Sequence, residues 1–402
     1  MKVAVINCGS SSIKYEIFGL PDFVMLAKGL IEKIGGSEGC LRQSKRKWDG
    51  TFDEQVYSRR FVDHRDGFDF VAHVNREHRI IQDESELFAI GHRVVHGGEL
   101  FQEPTVIDDE VAAAIRRLIP LAPLHNPSNL LGIEIARTRF PGVPQVAVFD
   151  TAFHQTLPPH AFHYALPYDW YAEHRVRRYG FHGSSHYYVS REAAKYLGKV
   201  PESVNLITLH LGNGASATAV SRGLSIDTSM GMTPLEGLVM GTRCGDIYPA
   251  LHFFLMMETG MSADKLEKSL NSEGGLQGIC GLNDMREIID QAGRGSDHAR
   301  LAIEMFCYRI KKYIGAYVAV LGSVDAIVFT GGIGENSSVI RERACEGLEH
   351  LGIAIDSAKN EAAVGSIAEI QKDATPVRVL VVRTDEEREI AQQTIHAIEK
   401  AK

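Results

Sequence analysis

The sequence lacks the segments that would place a protein in a membrane or on a secretory route. Its 402 residues contain no run of about 18 consecutive apolar residues, so we expect no membrane-spanning helix. The first residues lead straight into a predicted strand, without the basic region, long apolar segment and cleavage site of a signal peptide. We therefore expect a cytoplasmic protein with no membrane partner.

An excess of positive charge is also missing. Lys and Arg number 43 against 51 Asp and Glu, which gives a formal net charge of −8. A negative protein is repelled by a phosphate backbone, so we predict no nucleic-acid partner. The apolar content of 44% and the charged content of 23% are typical of a soluble globular protein. A chain of this length is too long for a single core, which predicts two or three domains.

Several common functional motifs are absent. The 6 cysteines show neither CxxC spacing nor a Cys/His cluster with zinc spacing, so we expect reduced thiols and no zinc. No GxxxxGK[ST] segment precedes a predicted helix, which excludes a Walker-type nucleotide loop. Residues 183–186 read GSSH rather than GxSxG, so a serine hydrolase is not favoured.

The sequence does contain a strand–turn–strand pattern at its start. Residues 3–6 are apolar, residues 9–12 are a glycine and three serines, and residues 13–17 alternate in polarity. Gly9 would let a ligand approach the backbone, and Lys14 adds a charge that suits phosphate. An ordinary Ser/Gly hairpin turn is an equally good interpretation of this segment alone.

The same pattern returns in the second half of the chain. Residues 206–220 form another apolar strand, glycine-rich turn and alternating strand, in which Gly212 aligns with Gly9. A third glycine turn follows the apolar residues 326–329. The repetition predicts a duplicated domain with a ligand cleft between the copies. The arrangement resembles the superfamily of sugar kinases, heat-shock ATPases and actin, which implies an α/β fold of two actin-like, ribonuclease H-like domains with a nucleotide cleft between them.

Two arginines accompany glycine-rich segments. Arg93 lies where a predicted strand runs into the turn at Gly97, and Arg243 lies in a loop between Gly241 and Gly245. A guanidinium can bind a carboxylate or phosphate bidentately, and phosphoryl transfer uses such cations to stabilise its transition state. The alternative for Arg93 is a structural ion pair within its domain.

An acid and a histidine also stand out. Asp150 follows the apolar residues 145–149, at the strand end where ligands bind in open α/β sheets. A helix N-cap is its alternative role. His182 lies between Gly180 and Gly183, which have no side chains to cover its imidazole ring, so the ring would be accessible to a ligand. We interpret His92 and His96 as buried core histidines.

Four helix starts are predicted from capping and charge patterns. We expect Asn126 to cap a helix that ends near Arg139, and Ser184 or Ser185 to cap the helix that follows. Residues 281–286 either line a nucleotide pocket or cap a helix. Residues 385–387 are acids that either hold Mg²⁺ or complement a helix dipole.

Several stretches resemble the acetate kinase family in the family's own order. They span nearly the whole chain: residues 7–14, 91–98, 124–127, 148–154, 179–186, 210–214, 241–243, 332–336 and 384–387. The resemblance implies a homodimer that transfers phosphate reversibly from ATP to acetate or another short-chain carboxylate, giving an acyl phosphate and ADP. It implies Mg²⁺ as cofactor, with Mn²⁺ as a possible substitute. It also implies a first domain of residues 1–150 and 385–402, and a nucleotide-binding domain of residues 151–384.

The resemblance assigns roles to individual residues. The catalytic set would be Asp150, His182, Arg243 and Arg93, and Mg²⁺ would be held by Asn7 and Glu386. The carboxylate substrate would contact Arg93, Val95, Leu124, Phe181 and Pro234. The nucleotide would contact Lys14, His210, Leu211, Gly212, Asn213, Gly214, Asp284, Met285, Arg286, Gly332, Ile333, Gly334, Glu335 and Asn336.

The implied chemistry needs no general base, because a carboxylate nucleophile is already ionised near pH 7. We therefore interpret Asp150 as a residue that positions other groups or the metal. Cys244 stands where the family usually has serine, which suggests altered thiol sensitivity. Two alternatives remain open: a propionate kinase of the same family, and a non-catalytic nucleotide-binding protein of the wider superfamily.

Overall fold

The computed structural model describes residues 1–401, which form two compact units. The first unit contains Met1–Ala152 and the C-terminal segment that begins at Asp385, and the second contains Phe153–Thr384. Each unit is built around one β-sheet. Within the described residues, no helix is long and apolar enough to cross a membrane.

Strands and helices are numbered in chain order. The strands are β1 (Lys2–Cys8), β2 (Ile13–Gly19), β3 (Val24–Glu32), β4 (Gly39–Arg46), β5 (Phe52–Arg59), β6 (Leu87–Val94), β7 (Thr105–Val106), β8 (Gln145–Phe149), β9 (Asn205–Leu211), β10 (Ala215–Ser221), β11 (Leu224–Thr228), β12 (Ala326–Thr330), β13 (Ile367–Glu369) and β14 (Arg378–Val382). The α-helices are α1 (His64–Glu77), α2 (Asp109–Arg117), α3 (Asn126–Arg139), α4 (Pro159–Phe162), α5 (Tyr168–His174), α6 (Gly183–Tyr196), α7 (Leu251–Thr259), α8 (Ala263–Lys268), α9 (Gly275–Cys280), α10 (Met285–Gly293), α11 (Asp297–Leu321), α12 (Gly331–Asn336), α13 (Ser338–Cys345), α14 (Ser357–Glu361) and α15 (Glu386–Lys400).

The two sheets share one strand order. The first sheet runs β5-β4-β3-β2-β1-β6-β8-β7, and the second runs β11-β10-β9-β12-β14-β13. In both, an antiparallel three-stranded meander is followed by two strands parallel to its first strand, so that β3-β2-β1-β6-β8 corresponds to β11-β10-β9-β12-β14. The predicted α/β fold with duplicated domains is confirmed by this order. The nucleotide cleft between the domains stays a prediction.

The first sheet is covered on both faces, which explains the continuous apolar run in β1. Because side chains alternate along a strand, Ala4, Ile6 and Cys8 pack in one apolar cluster with α1 and α3. Val3 and Val5 pack in another cluster with side chains of α15. A central strand buried on both faces has no polar side to present.

The second sheet is built in the same way. Val189 of α6 packs with Leu206 of β9, Val328 of β12 and Leu380 of β14 in one apolar cluster. The long helix α11, capped by the Ser296 side chain, contacts β9 and β10. Apolar side chains on the two faces of the sheet therefore hold α6 and α11 in place. Both helices contact β9, whose end carries predicted site residues.

Two predicted helix caps are wrong. The residue at the N-cap of α3 is His125, and Asn126 is the first helical residue. The Asn126 amide instead bonds the backbone of His96, accepting from its N–H at 3.1 Å and donating to its carbonyl at 3.0 Å. A buried amide gains more from pairing two backbone groups of a neighbouring strand end than from capping its own helix.

The helix α6 likewise begins without the predicted serine cap. Its N-cap is His182, in the left-handed conformation (φ 57°, ψ 28°), and no side chain bonds there as a cap. Ser184 and Ser185 lie inside the helix and are buried. The Ser185 hydroxyl is instead within 2.8 Å of His210 Nδ1 and 3.0 Å of Thr384 Oγ1.

Candidate active site

The first unit gathers its predicted residues at one edge of the sheet. The parallel strands β1, β6 and β8 end at the same edge, which carries Asn7, Arg93 and Asp150. Lys14 is the partner of Asn7 in the β1–β2 ladder, so it starts from the same edge. Glu386 is the first residue of α15, which packs on all three strands. Polar side chains at these carboxyl ends are therefore neighbours by topology.

Arg93 and Asp150 form a bidentate ion pair. Arg93 Nε donates to Asp150 Oδ1 at 2.9 Å, and Nη2 donates to Oδ2 at 2.7 Å. The carboxylate is buried, whereas the arginine side chain keeps 22% of its surface exposed. Burial would lower the pKa of Arg93, but the charges of Asp150 and Glu386 outweigh it and raise the pKa. This is the ion pair within the domain that was the alternative role for Arg93. It also holds the Arg93 guanidinium in a fixed orientation.

Glu386 occupies a strongly acidic environment. Burial raises its pKa to about 7, although the Arg93 charge acts in the opposite direction, and the nearby Asp150 and Glu387 raise the pKa further. The helix α15 packs so closely on β6 that a Cβ at Gly91 would lie 2.3 Å from Thr394 Oγ1, which explains the glycine at this position. Any larger residue at this position would clash with side chains of α15.

Lys14 is held by carboxylates. Its ammonium forms an ion pair with Glu387 and lies 4.0 Å from Glu16. Burial acts to lower the pKa of Lys14, but the Glu387 charge and hydrogen bond raise it overall. Burial also raises the pKa of Glu16 to about 7. One carboxylate oxygen from each of Glu16, Asp385 and Glu387 lies within 4.8 Å of the other two.

Sequence reasoning missed Glu16 and weighed Glu387 only as part of an acidic run. A signal for Glu16 was present, because residues two apart on a strand share a face and Glu16 follows Lys14 by two. Alternation by itself, however, indicates only a strand. Asp385 caps α15, since its side chain accepts from the Arg388 N–H at 3.2 Å.

The predicted acyl-pocket residues of the first unit differ in exposure. Val95 is buried directly after β6, and its N–H donates to Asn129 Oδ1 at 3.0 Å. Leu124 is 61% exposed within the first unit's surface loop before α3. Val95 therefore has a fixed backbone, whereas Leu124 gains little support from its surroundings.

In the second unit the glycine turn between β9 and β10 interlocks with a second loop. The Gly212 N–H donates to the Gly214 carbonyl at 3.0 Å, and the Gly241 N–H donates to the Asn213 carbonyl at 2.9 Å. A Cβ at Gly241 would lie 1.7 Å from Asn213 Oδ1, so any larger residue would force the Asn213 side chain to move. The contact brings the loop that carries Arg243 against the predicted nucleotide turn.

His182, His210 and Arg243 surround this turn. The imidazole rings of His182 and His210 stack with centroids 4.3 Å apart. A Cβ at Gly214 would lie 3.4 Å from His182 Nε2 and 3.5 Å from Arg243 Nη2, so both side chains lie beside the glycine. The structure thus brings together the predicted catalytic pair of this unit and the predicted nucleotide residues 210–214.

Arg243 is bonded differently from Arg93. Its Nη1 donates to the Pro234 carbonyl at 2.8 Å, and burial lowers its pKa. A carbonyl accepts a hydrogen bond without cancelling the charge of the guanidinium. Phe181, the other predicted acyl-pocket residue of this unit, is buried, and its carbonyl is 2.9 Å from His154 Nε2.

The third glycine segment forms the short helix α12 rather than a turn. Gly331 has a positive φ of 76°, and a Cβ there would lie 2.8 Å from the Leu211 carbonyl oxygen. Glu335 Oε1 accepts from the N–H groups of Gly331 and Thr384, both at 3.1 Å. Glu335 therefore ties together the ends of β12 and β14, a role that the sequence pattern did not reveal. The remaining members of this predicted nucleotide segment, Gly332, Ile333, Gly334 and Asn336, lie on the same helix.

The segment at residues 284–286 starts α10. Asp284 is its N-cap and accepts from the Arg286 N–H at 2.9 Å, which confirms the capping alternative. Met285 is buried, whereas the Arg286 side chain is 90% exposed and pairs with Asp284. A nucleotide contact for these residues stays a prediction.

Cys244 does not have the properties of a reactive thiol. Burial raises its pKa, and its Sγ lies 3.3 Å from the Gly245 carbonyl oxygen. Because the thiolate is the reactive form, a raised pKa predicts slow modification. The prediction of altered thiol sensitivity is therefore not supported by the local environment.

The sequence and the fold are both similar to those of known proteins. The sequence matches the model of the acetokinase family over residues 2–392. It is 56% identical over 405 residues to an acetate kinase of Syntrophobacter fumaroxidans, with 100% of this chain and 98% of that protein covered. The crystal structure of Porphyromonas gingivalis acetate kinase is similar, with a TM-score of 0.92, 45% identity and 99% of each chain covered. So is a propionate kinase from Francisella tularensis subsp. tularensis SCHU S4, with a TM-score of 0.92, 42% identity, and 98% of this chain and 99% of that one covered.

Proposed function

The chain belongs to the acetokinase family, and we propose that it transfers the terminal phosphoryl group of ATP to acetate, reversibly, giving acetyl phosphate and ADP. The observation that carries the proposal is the pair of His182 and Arg243, which both lie beside Gly214, at a glycine turn that repeats the one near the N-terminus. A carboxyl-group kinase needs such cations, because its transition state spreads negative charge over the phosphoryl oxygens.

The acceptor side of the reaction is assigned to the first unit. Acetate is ionised near pH 7 and attacks phosphorus through a carboxylate oxygen, while the bond from phosphorus to the ADP oxygen breaks. No proton has to be removed from the nucleophile. Asp150 therefore acts by orienting Arg93, to which both of its oxygens are bonded. Arg93 would hold the acetate carboxylate beside the apolar Val95.

The phosphoryl group is assigned to the second unit. Arg243 keeps its charge because its bonded partner is a carbonyl, and a desolvated guanidinium acts strongly on a developing anion. His182 supplies a second donor. Residues 213 and 214 of the interlocked turn offer backbone N–H groups of the kind that bind phosphate, with Lys14 and the residues of α12 as further predicted nucleotide contacts.

The donor set around Glu386 fits Mg²⁺. Mg²⁺ prefers oxygen ligands, which Asn7 and Glu386 provide. The carboxylates near them outnumber the cations Lys14 and Arg93, and this excess of negative charge adds to burial in raising the pKa of Glu386 to about 7. A divalent cation would remove that repulsion. When bound, Mg²⁺ would neutralise charge on the ATP phosphates, and Mn²⁺ offers the same ligand preference.

We also propose a cytoplasmic homodimer. The helix α7 has no buried residue in the described chain, although its sequence is LHFFLMMET. Phe253 is 68% exposed and Met257 is 83% exposed, together with Phe254. A helix that is apolar on its outside normally marks a protein interface. A second copy of this chain would cover it, and Phe253→Asp should then shift the sedimentation coefficient to that of a monomer.

Trapping of the acyl phosphate tests the activity directly. The protein is incubated with ATP, Mg²⁺, hydroxylamine and either acetate, propionate or butyrate, and the acyl hydroxamate is measured. We expect the highest kcat/KM with acetate, and Arg243→Ala serves as the matched inactive control. A higher kcat/KM with propionate would identify the second candidate, which the similar propionate kinase supports. Absence of any hydroxamate from folded protein would contradict both.

A further inference from the structure

One face of the second sheet carries a row of hydroxyl and imidazole groups. Thr208 on β9 is opposite Thr218 on β10, and His210 is opposite Ser216. Residues two apart on a strand share a face, so all of these side chains point the same way. The helix α6 contacts β9, and its fourth residue, His186, lies against this face.

These groups form a continuous chain that ends at His182. His186 Nδ1 lies 2.7 Å from Thr208 Oγ1, and His186 Nε2 lies 2.7 Å from Ser216 Oγ. The same Ser216 oxygen lies 2.9 Å from His182 Nδ1. Thr208, His186 and Ser216 are buried, so water does not compete for their hydrogen bonds.

The chain has a direction. Burial, together with His154 and His210, lowers the pKa of His186, so its ring is neutral and has one donor and one acceptor nitrogen. Thr208 Oγ1 also lies 3.5 Å from the Thr218 carbonyl, which can only accept. If the threonine proton goes to that carbonyl, then His186 donates from Nδ1 to Thr208 and accepts at Nε2 from Ser216. The Ser216 oxygen is then left to accept from His182.

We propose that Thr208, His186 and Ser216 form a relay that fixes a proton on Nδ1 of His182, which makes Ser216 and His186 positioning residues for the phosphoryl transfer. This role rests on the proposed function, whereas the tautomer itself does not. In a neutral ring with its proton on Nδ1, Nε2 carries no hydrogen. Nε2 is the atom that faces Gly214. Donation from Nε2 therefore requires the doubly protonated, positively charged ring, which suits a phosphoryl group better than a neutral donor.

Other groups also face the His182 ring. His210 of β9 stacks on it, Arg243 lies beside the same glycine, Gly214, and His186 follows on the same helix. The Arg243 charge opposes protonation of the ring, and the relay does not offset that effect. What the relay controls is the identity of the nitrogen that carries the proton when the ring is neutral.

Nitrogen NMR of ¹⁵N-histidine-labelled protein tests the tautomer without any assay of activity. The His182 resonances are identified by their loss in His182→Gln, and the pH is raised until the ring is neutral. We expect an Nδ1–H signal in the wild type, and a shift toward Nε2–H in Ser216→Ala. Thr208→Val, which keeps the side-chain shape, should give a mixture. An Nε2–H ring in the wild type, or an unchanged tautomer in Ser216→Ala, would overturn the proposal.

A matched pair of variants tests the positioning role. Ser216→Thr keeps the hydroxyl and Ser216→Val does not, while the two side chains have the same shape. We expect Ser216→Val to lower kcat about 10-fold relative to Ser216→Thr, the loss of one ordinary hydrogen bond, with little change in KM for ATP. Equal kcat values would overturn the positioning role.

If the wild type makes no acyl phosphate, the proposed function fails while the NMR result still stands. If Ser216→Ala does not fold, the wild type and Thr208→Val decide the tautomer.

Discussion

The two sheets have the same strand order but carry different polar groups at corresponding edges. In the first unit the edge carries the charged residues Arg93, Asp150 and Glu386. In the second unit it carries His210 and the glycine turn at residues 212–214, with Arg243 bonded to a carbonyl. The first edge is therefore held by ion pairs between side chains, and the second by hydrogen bonds between charged side chains and backbone groups and by close backbone packing.

This difference separates the effect of a residue on activity from its effect on stability. Arg93 neutralises a buried carboxylate, so its removal would leave Asp150 unpaired. Arg243 is itself the desolvated charge, so its removal leaves no buried opposite charge behind. Two arginines with similar proposed roles should thus behave differently in an unfolding experiment.

The largest expected effect is that of Arg93→Ala. We expect turnover to fall by about 10²–10³-fold, and the free energy of unfolding to fall by about 3–5 kcal/mol because a buried charge loses its partner. Urea unfolding and the hydroxamate assay measure the two effects. The double variant Arg93→Ala/Asp150→Ala should recover most of the stability and none of the activity. Recovery of activity would show that Arg93 serves only to pair Asp150.

Arg243→Ala should lose activity alone. We expect a similar loss of about 10²–10³-fold in kcat with an unchanged urea midpoint, because its partner is a carbonyl. Arg243→Lys should recover only part of the activity, since an ammonium lacks the planar fork. A large drop in stability for Arg243→Ala would remove the contrast between the two edges.

Glu386→Gln should raise the Mg²⁺ concentration required for half-maximal activity by at least about 10-fold. The amide keeps the side-chain shape while removing the ligand charge. Glu399→Gln is the control, because this exposed acid lies on the same helix near its other end. An unchanged Mg²⁺ titration would favour the alternative that Glu386 only complements the dipole of α15, worth about 0.3–1 kcal/mol.

Acid should destabilise both units through buried histidines. Burial lowers the pKa of His92 and of His154 to about 4, from 6.5. The unfolded chain therefore binds protons that the native state does not, and the stability present above about pH 6.5 is lost as the pH falls toward 4. At pH 5 we expect a loss of about 2 kcal/mol for each histidine. Urea unfolding of His154→Gln should show a smaller difference between pH 7 and pH 5 than the wild type, and an equal difference would contradict this account.

The smallest expected effect concerns the acyl pocket. Val95→Ala should raise the ratio of propionate to acetate kcat/KM by about 10-fold at most, because one methylene contributes little discrimination. Leu124→Ala should leave the ratio and the urea midpoint unchanged, since the side chain is exposed. An effect of Leu124→Ala as large as that of Val95→Ala would place the leucine in the pocket despite its exposure within the first unit.

The sequence by itself determined the local elements. The alternation in residues 13–17 and the apolar residues 3–6 predict β2 and β1, and the repeat around Gly212 predicts β9 and β10. The same repeat predicts the duplicated fold, because identical strand patterns favour identical strand order. These features depend on neighbours in the chain, whose periodicity is visible in the sequence. The sequence patterns also indicate Arg93, Asp150, His182 and Arg243 as site residues, and the resemblance supplied most of the other candidates; the roles of all of them remain predictions.

Only the tertiary structure decided which polar groups meet. Arg93 and Asp150 are 57 positions apart and form a pair because β6 and β8 are parallel neighbours. Asn126 bonds His96 instead of capping α3, and Glu335 joins two strand ends. The relay to His182 depends on the register of β9 against β10. A buried polar group takes whichever partner the packed chain brings within about 3 Å, and that partner is set by strand order and register rather than by sequence neighbours.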